Sequence, residues 1–140
     1  MNWKRVFWAG LVIYVVFQGL GFVIDSVFLK PDYDKLKNLW RPNMMSRVWI
    51  LYVVGLLVAF LFTYIFVKGR EGKGIQEGVR FGLIIWLFTI VPFNLEIWVI
   101  FPIPYMLVLK WNLFGLLTSL IGGILAAVIY KPAAPAKPQP

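Results

Sequence analysis

Apolar residues run almost unbroken over positions 6–24, 48–67, 81–101 and 113–130. Each run is about 18 to 21 residues long, the length an α-helix needs to cross a hydrocarbon core of about 30 Å. The pattern predicts an all-α integral membrane four-helix bundle, formed as one transmembrane domain over residues 1–131. Lys4 and Arg5 precede the first run as they would in a signal peptide. That run exceeds a typical h-region, and no A-x-A-like site follows it, so the segment is expected to stay as an anchor.

Polar and small residues within the runs assign a packing face to each helix. Lipid supplies no hydrophobic drive between helices, so close backbone approach has to hold them together. Span one carries Gly10, Tyr14, Gln18, Gly21 and Asp25 at spacings of four or three, and span two carries Gly55, Ala59 and Thr63. Span three carries Gly82, Trp86, Thr89, Phe93 and Glu96, and span four carries Asn112, Gly115, Ser119, Gly122 or Gly123, and Ala126. The span-four series Gly115, Ser119, Gly123, Ala127 provides a second small-residue stripe, more than an internal core requires. It therefore points to contact with another chain.

The connections differ in character. Pro31, Asp32 and Asp34 suit a first helical turn, and Tyr33, Leu36 and Trp40 fall on one face, which predicts a short interfacial helix between spans one and two. Arg41-Pro42-Asn43 then breaks it, and Ser46 is placed to cap span two. The glycine-rich basic stretch 68–80 lacks both G-x-x-x-x-G-K-[ST] and a preceding strand, so a flexible connector against lipid headgroups is expected rather than a nucleotide cradle. Glu77 and Arg80 are spaced for a weak surface pair. Pro102-Ile103-Pro104 makes a tight hairpin, Pro92 should kink span three, and 132–140, built only of Pro, Ala, Lys and Gln, reads as a disordered tail.

Composition agrees with the pattern: 61% of residues are hydrophobic and 14% charged. With no cysteine and no histidine, a thiol nucleophile, a disulfide and a Cys/His metal site are all excluded, and no cofactor is expected. The net charge of +8 reflects membrane-flanking Lys and Arg attracted to anionic lipid rather than a nucleic-acid partner. A cytoplasmic N-terminus puts eight of these on the inner side (Lys4, Arg5, Lys68, Arg70, Lys73, Arg80, Lys131, Lys137) and six outside. The inner ones also crowd the span ends, which favours both termini inside. Trp3, Trp8, Trp40, Trp49, Trp98 and Trp111 suit the headgroup belts.

Candidate chemistry concentrates at one end. The topology brings Asp25, Arg47, Asn94, Glu96 and Asn112 toward a common outer level, where Lys110 and Arg41 can join them. Ionisable groups there must pair, meet water or line a cavity. The group reads as a structural network or as a polar mouth for a small ligand or ion. Catalysis by Asp25 and Glu96 lacks an accompanying nucleophile or metal constellation.

Residues Trp40-Arg-Pro-Asn-Met-Met-Ser-Arg-Val-Trp49, Phe66-Val-Lys-Gly-Arg-Glu-Gly-Lys-Gly-Ile-Gln-Glu-Gly-Val-Arg-Phe-Gly82, Pro102-Ile-Pro-Tyr105 and Ile129-Tyr-Lys-Pro132 resemble a family of small bacterial four-span membrane proteins of unknown function. The likeness covers most of the chain. It implies four spans in a bacterial plasma membrane and no particular activity. The expected function is non-enzymatic: helix packing as a homo-oligomer or as the accessory subunit of a larger membrane complex, with lipid as the surrounding partner. The alternative is a binder or carrier of a small amphiphile or ion through the outer mouth.

Overall fold

The computed structural model describes residues 1–131; the predicted tail, 132–140, lies outside them. Four helices are long and apolar enough to cross a membrane. They are α1 (Trp3–Phe28), α3 (Met44–Lys68), α4 (Ile75–Ile100) and α5 (Tyr105–Ile129), with the five-residue α2 (Lys30–Asp34) after the first. Asn2 and Lys131 lie at one end of the bundle, here termed proximal, where the Asn2 amide donates to the Tyr130 hydroxyl at 3.0 Å and Arg5 donates to the Lys131 carbonyl. The α1–α3 connection and the α4–α5 hairpin form the distal end.

Two helices extend well beyond their apolar runs. Helix α4 begins at Ile75 and α5 at Tyr105, because polar positions near a membrane boundary still gain from continued helical hydrogen bonding, and only Gly74 and Pro104 interrupt it. Gly74, at φ +70°, holds a backbone shape that a side chain would strain. The α1–α3 connection contains α2 and two short 3₁₀ turns, Lys37–Leu39 and Met44–Arg47. Tyr33 and Leu36 pack on Ile24, Leu29 and Leu107, but the helix predicted to carry Tyr33, Leu36 and Trp40 on one face ends at Asp34, before the last two. Ser46 does not cap α3. Its hydroxyl instead donates to the Asn43 carbonyl at 2.8 Å, and α3 starts without a side-chain cap.

Across the bundle the helices follow the order α3, α1, α5, α4. The closest pairing is α4 on α5, where both backbones are stripped of side chains. A methyl group added at Gly82 would lie 2.8 Å from the Ser119 carbonyl carbon, and one at Gly78 would lie 2.7 Å from the Gly123 carbonyl carbon. Real side chains cannot occupy those positions. Gly122, on the other flank of α5, faces the rings of Phe17 and Phe62. Both small-residue stripes of α5 are therefore consumed inside one chain, which removes the argument for an intermolecular contact through span four. The α1–α3 contact uses Gly10 against Phe60, and Gly55 against Gln18 and Tyr14. Ile13, Ala59, Phe62, Phe66, Ala126 and Ala127 complete the proximal core, with Phe81 edge-on to Phe62 and Phe66.

The stripe predicted for span three holds only for its first half. Gly82 is buried and Trp86 half-buried, but Thr89, Phe93 and Glu96 are exposed. A π-helical turn over Trp86–Ile90 inserts one extra residue before Pro92, whose ring cannot follow a regular α-turn. The inward face after it moves one position along, to Ile90, Asn94 and Ile97. The Pro92 kink is thus realised as a wide turn that rotates the distal half of α4.

Replacing Gly82 with Ala should lower stability by about 1–3 kcal/mol through overpacking against α5. Gly19, with nothing within 4 Å of an added methyl, serves as the control. Gly19→Ala should leave stability unchanged or raise it by up to about 1 kcal/mol. Thermal unfolding of the two variants in one detergent checks both signs.

Candidate functional site

The polar residues at the distal end form two groups rather than one mouth. In the first, Tyr33 of α2 is the hub. Its hydroxyl donates to Asp25 Oδ1 at 3.2 Å and accepts from Trp111 Nε1 at 2.9 Å, while its carbonyl accepts from Trp40 Nε1 at 3.4 Å. The Trp40 ring meets Tyr33 edge-on at 5.4 Å between centroids. One residue earlier, Asp32 Oδ2 pairs with Lys110 Nζ at 2.6 Å. Asp25 reaches this group because α1 ends in a second π-helical turn, Ile24–Phe28, closed by Leu29 N–H to the Ile24 carbonyl at 2.9 Å. The network pins α2 onto α1 and α5.

The second group lies between α4 and α5. Asn94 Nδ2 donates to Asn112 Oδ1 at 3.2 Å, Asn112 Nδ2 donates to the Val108 carbonyl at 3.0 Å, and Trp86 Nε1 donates to the Asn112 carbonyl at 2.8 Å. Each polar atom so held within a span avoids desolvation without a partner. Trp86 and Asn94 reach Asn112 because the π-turn between them places both on the α5 side.

Of the five predicted mouth residues, Asn94 and Asn112 are joined directly and Asp25 belongs to the Tyr33 network. Arg47 and Glu96 enter neither group. Both are exposed, and neither makes an ion pair among the described residues. Arg47 sits at the start of α3 beside Arg41, Met44, Val48 and Leu51, and Glu96 lies one turn before the end of α4.

Sequence reasoning placed Tyr33 and Trp111 only in a packing face and a headgroup belt, and their pairing depends on α2 folding back over α5. At the proximal end it misjudged Glu77. The carboxylate is buried, and it accepts from the backbone N–H groups of Glu71, of Gly72 at 3.1 Å and of Lys73 at 3.0 Å. Arg80 pairs with Glu71 instead, at 2.9 Å. The stretch expected to be a flexible connector is a loop wrapped around its own anion, with Gly72 at φ +82°. Its amides are already committed to a carboxylate. Bonds from Lys73 and Arg80 hold the exposed Glu71 carboxyl below the ordinary glutamate range.

Burial pushes the Tyr33 hydroxyl up to about 12, opposed by the bond from Trp111 and assisted by the negative charges of Asp25 and Asp32. A pKa raised on folding adds stability that is complete below the unfolded value of about 10 and disappears as pH climbs through the folded one. Wild-type stability should therefore fall between about pH 10 and 12 by more than that of Tyr33→Phe. At neutral pH Tyr33→Phe should cost about 1 kcal/mol for the lost hydrogen bonds. Unfolding of both proteins across a pH series measures the two effects.

No protein-family model matches the chain, and neither a curated protein nor a solved structure is significantly similar to it.

Proposed function

We propose that the protein is a non-enzymatic membrane protein that works by lateral assembly with copies of itself, each Glu96 meeting the Arg47 of a neighbour. The carrying observation is that these two opposite charges, both at the distal level, lack ion-pair partners among the described residues and stand on the two flanking helices of the bundle. A carboxylate within a span is costly against lipid unless it pairs or reaches water. The flanks around them are apolar. Phe93, Val99 and Ile100 are exposed on α4, as are Trp49, Leu51, Tyr52 and Val53 on α3.

An α3-to-α4 contact is heterologous, joining different surfaces of successive copies. It closes into a ring where the rotation permits. The interface rests on the distal halves of α3 and α4, not on the α5 stripes, which are filled internally. A role as accessory subunit uses the same surface, with a larger complex supplying the cation. Entrance of an amphiphile or ion through the distal polar residues draws less support, because Asp25 and Asp32 are engaged by Tyr33 and Lys110. The resemblance noted above favours a bacterial plasma membrane, and the basic proximal end favours cytoplasmic termini.

The natural chain lacks cysteine, so Arg47→Cys and Glu96→Cys can be introduced together without a background of other thiols. Oxidation in native membranes should yield a ladder of disulfide-linked multimers. Arg47→Glu or Glu96→Arg alone should weaken the assembly, and the two together should restore it. A double-cysteine chain that stays monomeric, or closes only on itself, would sink the proposal.

A further inference from the structure

We infer that the proximal groove between α1 and α3 is a site for one anionic glycerophospholipid, with the acyl chain in the groove and the phosphate at Lys4 and Lys68. The groove is open to the surface, has a volume of about 710 Å³ and is lined by Trp3, Lys4, Val6, Phe7, Trp8, Phe60 and Tyr64. Its walls are aromatic, and its origin is local. Gly10 lets the Phe60 ring approach α1 closely, and Phe7 packs on Phe60 at 5.6 Å between ring centroids. At the mouth, Trp3 stacks on Tyr64 at 6.3 Å, and Lys68 Nζ stands 5.7 Å from the Tyr64 ring. An amphipathic ring pair at the boundary, with ammonium groups beside it, suits a phosphate above and a hydrocarbon tail below.

Charge at this end selects the headgroup. Glu71 and Glu77 are the proximal carboxylates among the described residues, and neither is available to the groove: Glu71 is held by Lys73 and Arg80, and Glu77 by three backbone amides. Arg5 is directed to the Lys131 carbonyl and Arg70 to the Tyr130 ring, at 5.4 Å. Lys4 lines the groove and Lys68 stands beside it, over the Tyr64 ring at its mouth; neither makes an ion pair among the described residues. A distal groove provides the contrast. Lined by Phe28, Lys110, Leu113, Phe114 and Leu117, it is also apolar with a lysine at its edge. There Asp32 neutralises Lys110 at 2.6 Å, so that groove has no charge to offer a phosphate. The same molecule thus carries an anion-selective groove and an unselective one.

The test uses the full chain in vesicles doped with phosphatidylglycerol or phosphatidylcholine bearing a photoactivatable acyl chain, with adducts mapped by peptide mass spectrometry. Phosphatidylglycerol should label residues 3–8 and 60–64 in preference to other lipid-facing segments, and phosphatidylcholine should show no such preference. The variant Lys4→Gln/Lys68→Gln should lose the selective labelling about tenfold. Lys110→Gln, at the distal groove, should leave it unchanged. Equal labelling by both lipids, adducts spread evenly over the lipid-facing helices, or selective labelling that survives Lys4→Gln/Lys68→Gln would each overturn the assignment.

Discussion

The backbone of α4 rests directly on the backbone of α5, and the rest of the bundle is arranged around that contact. Between apolar helices in lipid there is little transfer energy to gain, so association depends on dispersion and weak Cα–H···O contacts that require the main chains to approach closely. Gly78 and Gly82 permit this approach by setting no side chain against the main chain of Gly123 and Ser119. The tight α4–α5 pair then presents Gly122 and Ala126 on its flank to α1 and α3. Helix α5 becomes the shared wall, buried at Ser119, Gly122, Gly123, Ala126 and Ala127.

That arrangement makes the two ends unequal. At the proximal end the four helices converge on Phe62, Phe66 and Phe81, and the loop between α3 and α4 is closed by Glu77. Distally, α4 has been rotated by its π-turn and holds α5 through Trp86, Asn94 and Asn112, while α3 continues alongside α1 alone. The flanking faces of α3 and α4 are thereby left to lipid or to a neighbour. Arg47 and Glu96 lie on those faces. Polarity is distributed to match: amides, indoles and the Tyr33 hydroxyl bind helices to one another, and Arg47 and Glu96 stay outside both networks.

Much of the architecture was legible in the chain because spans declare themselves by length and apolarity. Small-residue spacing also marked positions that pack in α3, in α5 and in α1 as far as Gln18, since a missing side chain has few uses within a membrane other than contact, whereas Gly21 faces open space and Asp25 is exposed. It did not reveal which partner filled each face. Gly123 reads the same whether Gly78 or another chain opposes it. The distal half of α4 was misjudged for a related reason: one residue added by a π-turn shifts every later position, and Pro92 announces a disturbance without stating its form. The roles of Glu77 and Tyr33 were misread because their partners are backbone amides and a side chain 78 positions away. Neither leaves a periodic mark in the sequence.

The central claim is direct main-chain contact between α4 and α5. Solid-state NMR of the protein labelled with ¹³C-glycine in lipid bilayers tests it without altering a residue. The account predicts a through-space dipolar correlation between Gly78 and Gly123, absent from any sequential pathway. Failure to detect that correlation, with spectra indicating helices at the ordinary interaxial distance of about 8–10 Å, would contradict it.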